Sequence, residues 1–327
     1  LGGTAMKTAC PVASALLLAL LVAPAPAQDT WPSRPVRLVV PSSPGGGTDT
    51  YARLLAQGLG EALKRQFIVD NRPGASGNVG AEIAARAAPD GYAFLVSASP
   101  VLVINPSLYK KLPYDVERDF TPVARGVISP DVWTSHPSVP VKTLAALVAL
   151  GKREPGRLTF GSPGVGSPPN LAVKVVEEVS GARFVHVPYK GGGQAVQGLL
   201  SGEIAFMVSG IISAQPHVQS GKVLALAASH RVRQLPGTPT YGESGYPNIE
   251  SIYSSFSVVA PAGTPPAIVR RMSAEIAALM KSPAFRERLD AQALIPVFDT
   301  PNEFAATLKK ERARYAEIIR RNNIVAD

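Results

Sequence analysis

Pro44-Gly45-Gly46-Gly47-Thr48-Asp49 sits between the apolar run Val36-Arg37-Leu38-Val39-Val40 and a helical pattern that starts near Thr50. The order is strand, glycine loop, helix. Such a loop lets bare backbone amides approach a ligand at the end of a helix whose dipole favours negative charge. One reading is a docked anion. The other is a tight turn that only packs strand against helix, because glycine often serves backbone geometry alone. Two nucleotide loops are excluded by spacing. A phosphate-binding P-loop continues Gly-Lys-Ser/Thr, whereas Gly47 is followed by Thr48-Asp49. A dinucleotide fingerprint needs glycine at its sixth position, where Thr50 stands.

Outward from this loop the chain alternates. Tyr51, Leu54, Leu55, Leu59 and Leu63 share one helical face. Phe67-Ile68-Val69 reads as a short strand, 78–87 as a helix and 92–96 as a strand. Proline-rich loops follow through Pro106, Pro113 and Pro122. The pattern then restarts. A helix over 143–150 is stopped by Gly151 and Pro155. A strand over 158–160 leads into Gly161-Ser162-Pro163-Gly164-Val165-Gly166-Ser167, and Pro168-Pro169-Asn170 opens the next helix. A third unit has a strand over 184–187, the loop Lys190-Gly191-Gly192-Gly193 and a helix over 195–200. Further strands are predicted over 204–208, ending at Ser209-Gly210, and over 223–227. This alternation predicts parallel α/β layers. In a doubly wound sheet such loops gather at the carboxyl ends of the strands, where ligands bind, so three of them favour binding over mere packing. The tail is structural. Thr264-Pro265-Pro266 opens one helix, and Thr300-Pro301-Asn302-Glu303 is a capping box opening another.

Met6-Lys7, the apolar stretch over 12–23 and Ala25-Pro26-Ala27 read as a secretory signal peptide spanning 1–27, cleaved after Ala27. The only cysteine, Cys10, lies inside it, so the mature chain is expected to carry neither thiol nor disulfide. About 300 residues remain, enough for one large or two medium domains. No other apolar run is long enough to span a bilayer. The full chain has a net charge of +9, and removing Lys7 leaves +8. Much of this lies on the last helix (Lys309, Lys310, Arg312, Arg314, Arg320 and Arg321), a solvated face. Export and the lack of any reading motif argue against nucleic-acid binding.

The four histidines, His136, His186, His217 and His230, are scattered without metal spacing on one helix. His186 alternates within a strand and reads as a core or rim group. There is no Gly-x-Ser-x-Gly elbow. The expectation is a non-enzyme without cofactor. An exported hydrolase is the alternative, and its sign would be a base near Ser162 or Ser167 in the fold.

Several stretches taken in order carry a resemblance: Pro44 to Asp49, Asn71-Arg72-Pro73-Gly74-Ala75, Ala88-Pro89-Asp90-Gly91-Tyr92, Ile104-Asn105-Pro106-Ser107-Leu108-Tyr109, His186-Val187-Pro188-Tyr189-Lys190-Gly191, and Ala260-Pro261-Ala262-Gly263-Thr264-Pro265. With these, the chain resembles the substrate-binding proteins of tripartite tricarboxylate transporters, the Bug family, from about Trp31 to Ile324. The resemblance implies a bilobed periplasmic binding protein, two doubly wound α/β lobes joined by two crossovers. Lobe one would be 28–130 plus 253–327, and lobe two 131–252. It implies a monomer in the periplasm that captures a small carboxylate for the membrane permease subunits of such a transporter. An orphan or sensory binder presenting its ligand to a signalling partner is the alternative.

Carried over by residue, the resemblance makes Pro44, Gly45, Gly46, Gly47, Thr48 and Asp49 the carboxylate-holding loop. Asp49 is favoured there as a cap that fixes the loop, since its charge would repel an anion. Ser97 and Ser99 fall in a small polar stretch after a strand. Ser162, Gly164, Gly166 and Ser167 match the second loop, with Ser167 as hydroxyl donor. Tyr189 and Gly191 match the third loop, and Ser209 follows a strand. Three departures bear on the ligand. Ser42 stands where relatives often have an aromatic residue. Asn170 stands where they often have histidine. Met207-Val208-Ser209-Gly210 lacks the aspartate that can hold a ligand amino group, which favours a non-amino organic acid.

Overall fold

A computed structural model of the chain describes residues 1–4, 31–189, 192–249 and 252–325. The signal-peptide stretch with Cys10, and Lys190 and Gly191 of the third loop, lie outside the described residues. The strands among the described residues are β1 (Val36–Val40), β2 (Phe67–Asn71), β3 (Ala93–Ala98), β4 (Phe120–Ser129), β5 (Asp131–Ser135), β6 (Thr159–Ser162), β7 (Val185–Pro188), β8 (Phe206–Gly210), β9 (Leu224–Ala228), β10 (Ser254–Pro261) and β11 (Ile295–Asp299). The helices are α1 (Gly47–Leu63), α2 (Asn78–Ala85), α3 (Asn105–Leu108), α4 (Val116–Asp119), α5 (Leu144–Arg153), α6 (Pro168–Ser180), α7 (Gly192–Leu200), α8 (Ile211–Gln219), α9 (Pro266–Lys281), α10 (Pro283–Ala291) and α11 (Pro301–Arg321).

The strands form two sheets, ordered β11-β4-β10-β3-β1-β2 and β7-β6-β8-β5-β9. Both are mixed: the expected parallel strands are joined by antiparallel ones. β10 runs antiparallel to β3 and β4, and β5 runs antiparallel to β8 and β9. The reason is the route of the chain. β5 follows β4 after Pro130 alone and therefore starts at the loop-bearing edge, where β4 ends. β10 likewise starts there after the chain returns from β9.

Other boundaries differ for local reasons. Helix α1 begins at Gly47, so the last three residues of the glycine loop form its first turn. Helix α5 continues through Gly151 because the bare Cα admits Phe184; a Cβ there would stand 2.3 Å from the ring. The stretch expected as proline-rich loop holds a wide turn (Pro100–Ile104), α3, α4 and the start of β4. Pro122 is tolerated inside β4 because the pairing with β10 shifts register beside it. The capping box at Thr300 and Glu303 is formed.

Period-two alternation divides the core. Val36, Leu38 and Val40 of β1 pack with Tyr51, Leu55 and Leu59 of α1 and with Met272 and Ile276 of α9. Val39 faces the other way, into a cluster that runs on through Ile104, Tyr315 of α11 and Leu171 of α6 to Trp133, Phe160 and Phe206 of the second sheet. The Phe206 ring stacks between Trp133 at 5.7 Å and Phe160 at 5.6 Å. Each phenylalanine buried there contributes roughly 2–3 kcal/mol. Helix α11 follows the first sheet in the chain yet pairs Arg321 with Glu178 of α6. No helix among the described residues is long and apolar enough to cross a membrane.

Candidate functional site

The first glycine loop leaves β1 and turns into α1. Gly45 takes φ +83°, a left-handed conformation that glycine adopts without penalty. Pro44, Gly45 and Gly46 are exposed, and Thr48 and Asp49 are buried. Gly47 must be glycine for another reason: a Cβ would stand 2.9 Å from the Phe256 ring. Asp49 is only 2 % exposed, and its carboxylate ties the loop together. Oδ2 accepts from Gly45 N–H at 2.8 Å and from Arg53 Nε at 2.9 Å, and Oδ1 accepts from Asn71 Nδ2 at 3.0 Å. Asn71 Nδ2 also donates to Ser42 O at 3.0 Å. Burial pulls the Asp49 pKa up, but the bonds from Arg53, Gly45 and Asn71 outweigh it and hold the carboxyl below its ordinary value. Asp49 is thus the cap the sequence favours, facing inward. The leading amides of α1, which have no intrahelical acceptor, receive no side-chain cap at Gly46. They present partial positive charge at the loop surface.

The second loop is built differently. Its helix α6 starts with Pro168 and Pro169, which have no N–H to offer. The remaining donors are spent inside the loop. Gly166 N–H donates to Asn170 Oδ1 at 3.0 Å, and Gly164 N–H to Ser162 Oγ at 3.2 Å. Ser167 Oγ donates to Gly164 O at 2.7 Å and caps the helix by accepting from Asn170 N–H at 3.4 Å. The hydroxyl expected as a ligand donor is therefore committed to the fold. Gly166, at φ +73°, lies against Leu108 of α3, where a Cβ would stand 2.3 Å from the side chain. The second loop thus packs on α3.

Ser162 is fully buried, and its Oγ lies 2.8 Å from His186 Nε2. A base beside Ser162 is the sign set for the hydrolase alternative. The pair lacks the properties of a nucleophile and its base. Burial, with the charge of Lys174, depresses the His186 pKa to about 4. Its ring stacks on Phe160 at 4.7 Å. Ser162 Oγ donates to Gly164 O at 2.9 Å, which requires His186 Nε2–H to be the donor in the Ser162 contact. No carboxylate among the described residues is recorded on the other ring nitrogen to orient it. The pair pins the loop to β7.

The remaining predicted residues divide. Ser97 and Ser99 are buried at the end of β3; Ser97 Oγ donates to Ala98 O at 3.1 Å, and Ser99 Oγ accepts from Ser255 N–H at 3.2 Å. Ser209 in β8 is buried, and its Oγ has no hydrogen-bond partner among the described residues, as is true of Ser42 Oγ beside the first loop. Tyr189 differs from the expectation. Its ring lies between Gly161 and Gly198, where an added Cβ would stand 3.1 Å and 2.2 Å from it, so the side chain is packing under α7. Only its main chain adjoins the second loop, donating N–H to Ser162 O at 3.0 Å.

A cavity of about 330 Å³ opens between the second loop and the turn and helix α3 packed against it. Gly164, Val165 and Ser167 line one side, and Ser76, Asn105 and Tyr109 the other. Ala75 and Ser76 are left-handed at φ +45° and +54°, a conformation that costs an L-residue about 1–2 kcal/mol each. Tyr109 Oη donates to Ser76 Oγ at 2.8 Å, and Asn105 Nδ2 donates to Ser76 O at 3.2 Å, which holds that turn. These rim residues were missed as site residues, although they stand in or beside two motifs that carry the resemblance. No cluster of three or more His, Cys, Asp or Glu among the described residues could hold a metal ion.

Residues 51–324 match the family described as tripartite tricarboxylate transporter family receptor. Protein BugT of Bordetella pertussis (strain Tohama I) is 36% identical over 296 residues, covering 89% of this chain and 90% of that protein. The solved structure of R. palustris Rpa4515 with adipate superposes with a TM-score of 0.83 at 31% identity, covering 90% of this chain and 99% of that one. MatC (Rpa3494) from Rhodopseudomonas palustris with bound malate gives 0.76 at 28% identity, covering 88% and 100%.

Proposed function

This chain belongs to the tripartite tricarboxylate transporter receptor family, a family of solute-binding proteins with the bilobed periplasmic fold, and on that premise we propose that it captures a small carboxylate between its lobes. The observation that carries this reading is the first loop, where a buried aspartate fixes exposed glycines at the uncapped start of a 17-residue helix. Relatives seen with adipate and with malate support the same ligand class. The carboxylate would meet the amides of Gly46, Gly47 and Thr48, directly or through water, with the second loop as the facing wall. We assign lobe one to 28–130 plus 253–327 and lobe two to 131–252, in keeping with crossovers at Pro130 and between β9 and β10. A ligand touching both lobes stabilises the closed arrangement, which a membrane permease then recognises in the periplasm. The protein acts as a monomer without catalysis; for the second of these, the committed Ser162 hydroxyl and the low His186 pKa are the support.

A thermal-shift screen of mono-, di- and tricarboxylates tests the proposal, because a ligand that binds only the folded state raises its melting temperature. A shift with carboxylates is expected. Shifts confined to neutral or cationic solutes would sink it.

A further inference from the structure

Asp131 opens β5 directly after the crossover residue Pro130 and is 3 % exposed. Its main chain is satisfied: N–H donates to Ser229 Oγ at 3.0 Å, and C=O accepts from Ser229 N–H at 2.8 Å. Its carboxylate is not, since no donor among the described residues reaches it. Burial alone pushes its pKa up to about 7. A buried carboxylate without a partner is costly, and such groups are characteristic of sites that bind something.

Its position is fixed by sheet register. Asp131 pairs with Gly210, the last residue of β8, while Trp133 pairs with Val208. β8 pairs in turn with β6, from which the second loop departs. The carboxylate therefore stands at the loop-bearing edge of the second sheet, beside the passage into the first lobe. There is room next to it. A Cβ built on Gly210 meets nothing within 4 Å except Ser129 Oγ at 3.8 Å. The Tyr241 hydroxyl is buried there with the Trp133 indole N–H as its neighbour, and burial, with the charge of Asp131, raises the Tyr241 pKa.

On the carboxylate-capture reading the first loop supplies donors, and Asp131 would add an acceptor at the loop-bearing edge of the second sheet. The sequence offers no acid after Val208, which favours a non-amino ligand; the fold provides one at Gly210 from the neighbouring strand. We propose that Asp131 is a specificity-determining residue that accepts a hydrogen bond from an ammonium or hydroxyl group carried by the same ligand. The ligand class is then an amino- or hydroxy-substituted carboxylate. This inference rests on the carboxylate-capture reading above.

Calorimetry on the full chain at pH 8 with matched acids tests it: succinate against malate and aspartate, and adipate against 2-hydroxyadipate and 2-aminoadipate. In at least one series the wild type should bind a substituted acid about tenfold or more tighter than its parent, a discrimination of the size that one charged hydrogen bond confers. Asp131→Asn should reduce that ratio to within about threefold while leaving affinity for the parent acid nearly unchanged. Asp131→Ser serves as the second variant if the first does not fold. An unchanged ratio in the variant, or a wild type that prefers the parent acids, overturns the inference alone. A purely structural Asp131, bridged to Tyr241 by water, would lower melting temperature and affect both acids of a pair equally, which also overturns it. If no acid of either series binds the wild type, the carboxylate reading falls and this inference with it.

Discussion

The two glycine loops occupy equivalent places, each between the end of a strand and the start of a helix, but they spend their polar atoms in opposite ways. In the first, one buried carboxylate, Asp49, secures the loop from behind and leaves the leading amides of α1 uncapped. In the second, Ser162, Ser167 and Asn170 consume the polar groups of Gly164 and Gly166, and two prolines remove the helix amides. Glycine content alone therefore does not make an anion site. What counts is how many backbone donors remain uncommitted once the loop has satisfied itself. The first loop keeps donors free, as the proposed carboxylate site requires. The second is built to keep its shape.

The contrast breaks most visibly at Asp49. Asp49→Ala should cost about 2–4 kcal/mol in urea unfolding, since it removes three bonds to a buried charged group. It should also weaken carboxylate binding. A loss below about 0.5 kcal/mol would mean that the first loop, like an ordinary surface turn, holds itself together without its aspartate.

Next in size is the pH response of the second lobe. The folded pKa of His186 lies near 4, below its ordinary 6.5, so its contribution is present above pH 6.5 and is lost as pH falls toward 4. The folded pKa of Asp131 lies near 7, above its ordinary 3.8, so its contribution is present below pH 3.8 and is lost as pH rises through 7. The two oppose each other between those limits. Asp131→Asn should leave stability rising from pH 4 to 6.5, and His186→Asn should leave it falling from pH 4 to 7, each by on the order of 2–4 kcal/mol. Parallel curves for the two variants would remove the basis for this balance. The first loop should not share this behaviour, because Asp49 stays charged until its depressed pKa is reached.

Gly46→Val sharpens the comparison on the binding side. Gly46 has φ −77° and ψ 166°, and an added Cβ meets only Ser43 O at 3.6 Å, so valine fits the fold. Affinity for a carboxylate should drop at least about tenfold with melting temperature nearly constant. Equal affinity would show that no ligand approaches the first loop. The smallest effect is expected for Ser167→Ala, about 1 kcal/mol of stability from the lost helix cap. Its affinity should hold within about twofold. A larger loss would return to Ser167 the donor role that the sequence suggests.

Much of this contrast was legible in the chain. The first two strand–loop–helix units, the strand and helix of the third, the helical faces and the capping box depend on local periodicity and turn chemistry, and they are formed. So is the inward role of Asp49, which follows from the sign of its charge. The strands β4, β5, β10 and β11 were not legible. Pro122, the serines of β10 and Pro296 of β11 disguise three of them, and β5 and β10 get their direction from the crossovers, which no local pattern encodes. Tyr189 looked like a loop residue because its partners, Gly161 and Gly198, are silent in sequence. His186 and Ser162 are 24 residues apart and meet only through the pairing of β6 with β7. Asp131 carries no motif at all; its significance appears once Gly210 stands beside it.

One residue, Pro130, carries the chain from the first sheet to the second. Its ring fixes φ near −65°, and the next amide is already bonded to Ser229. A flexible linker samples many shapes when a cleft is open and forfeits them when it shuts. Here few torsions remain to be frozen at this crossing. Shutting the cleft should thus carry a small conformational-entropy penalty at this joint, and more of the intrinsic contact energy should survive as measured affinity.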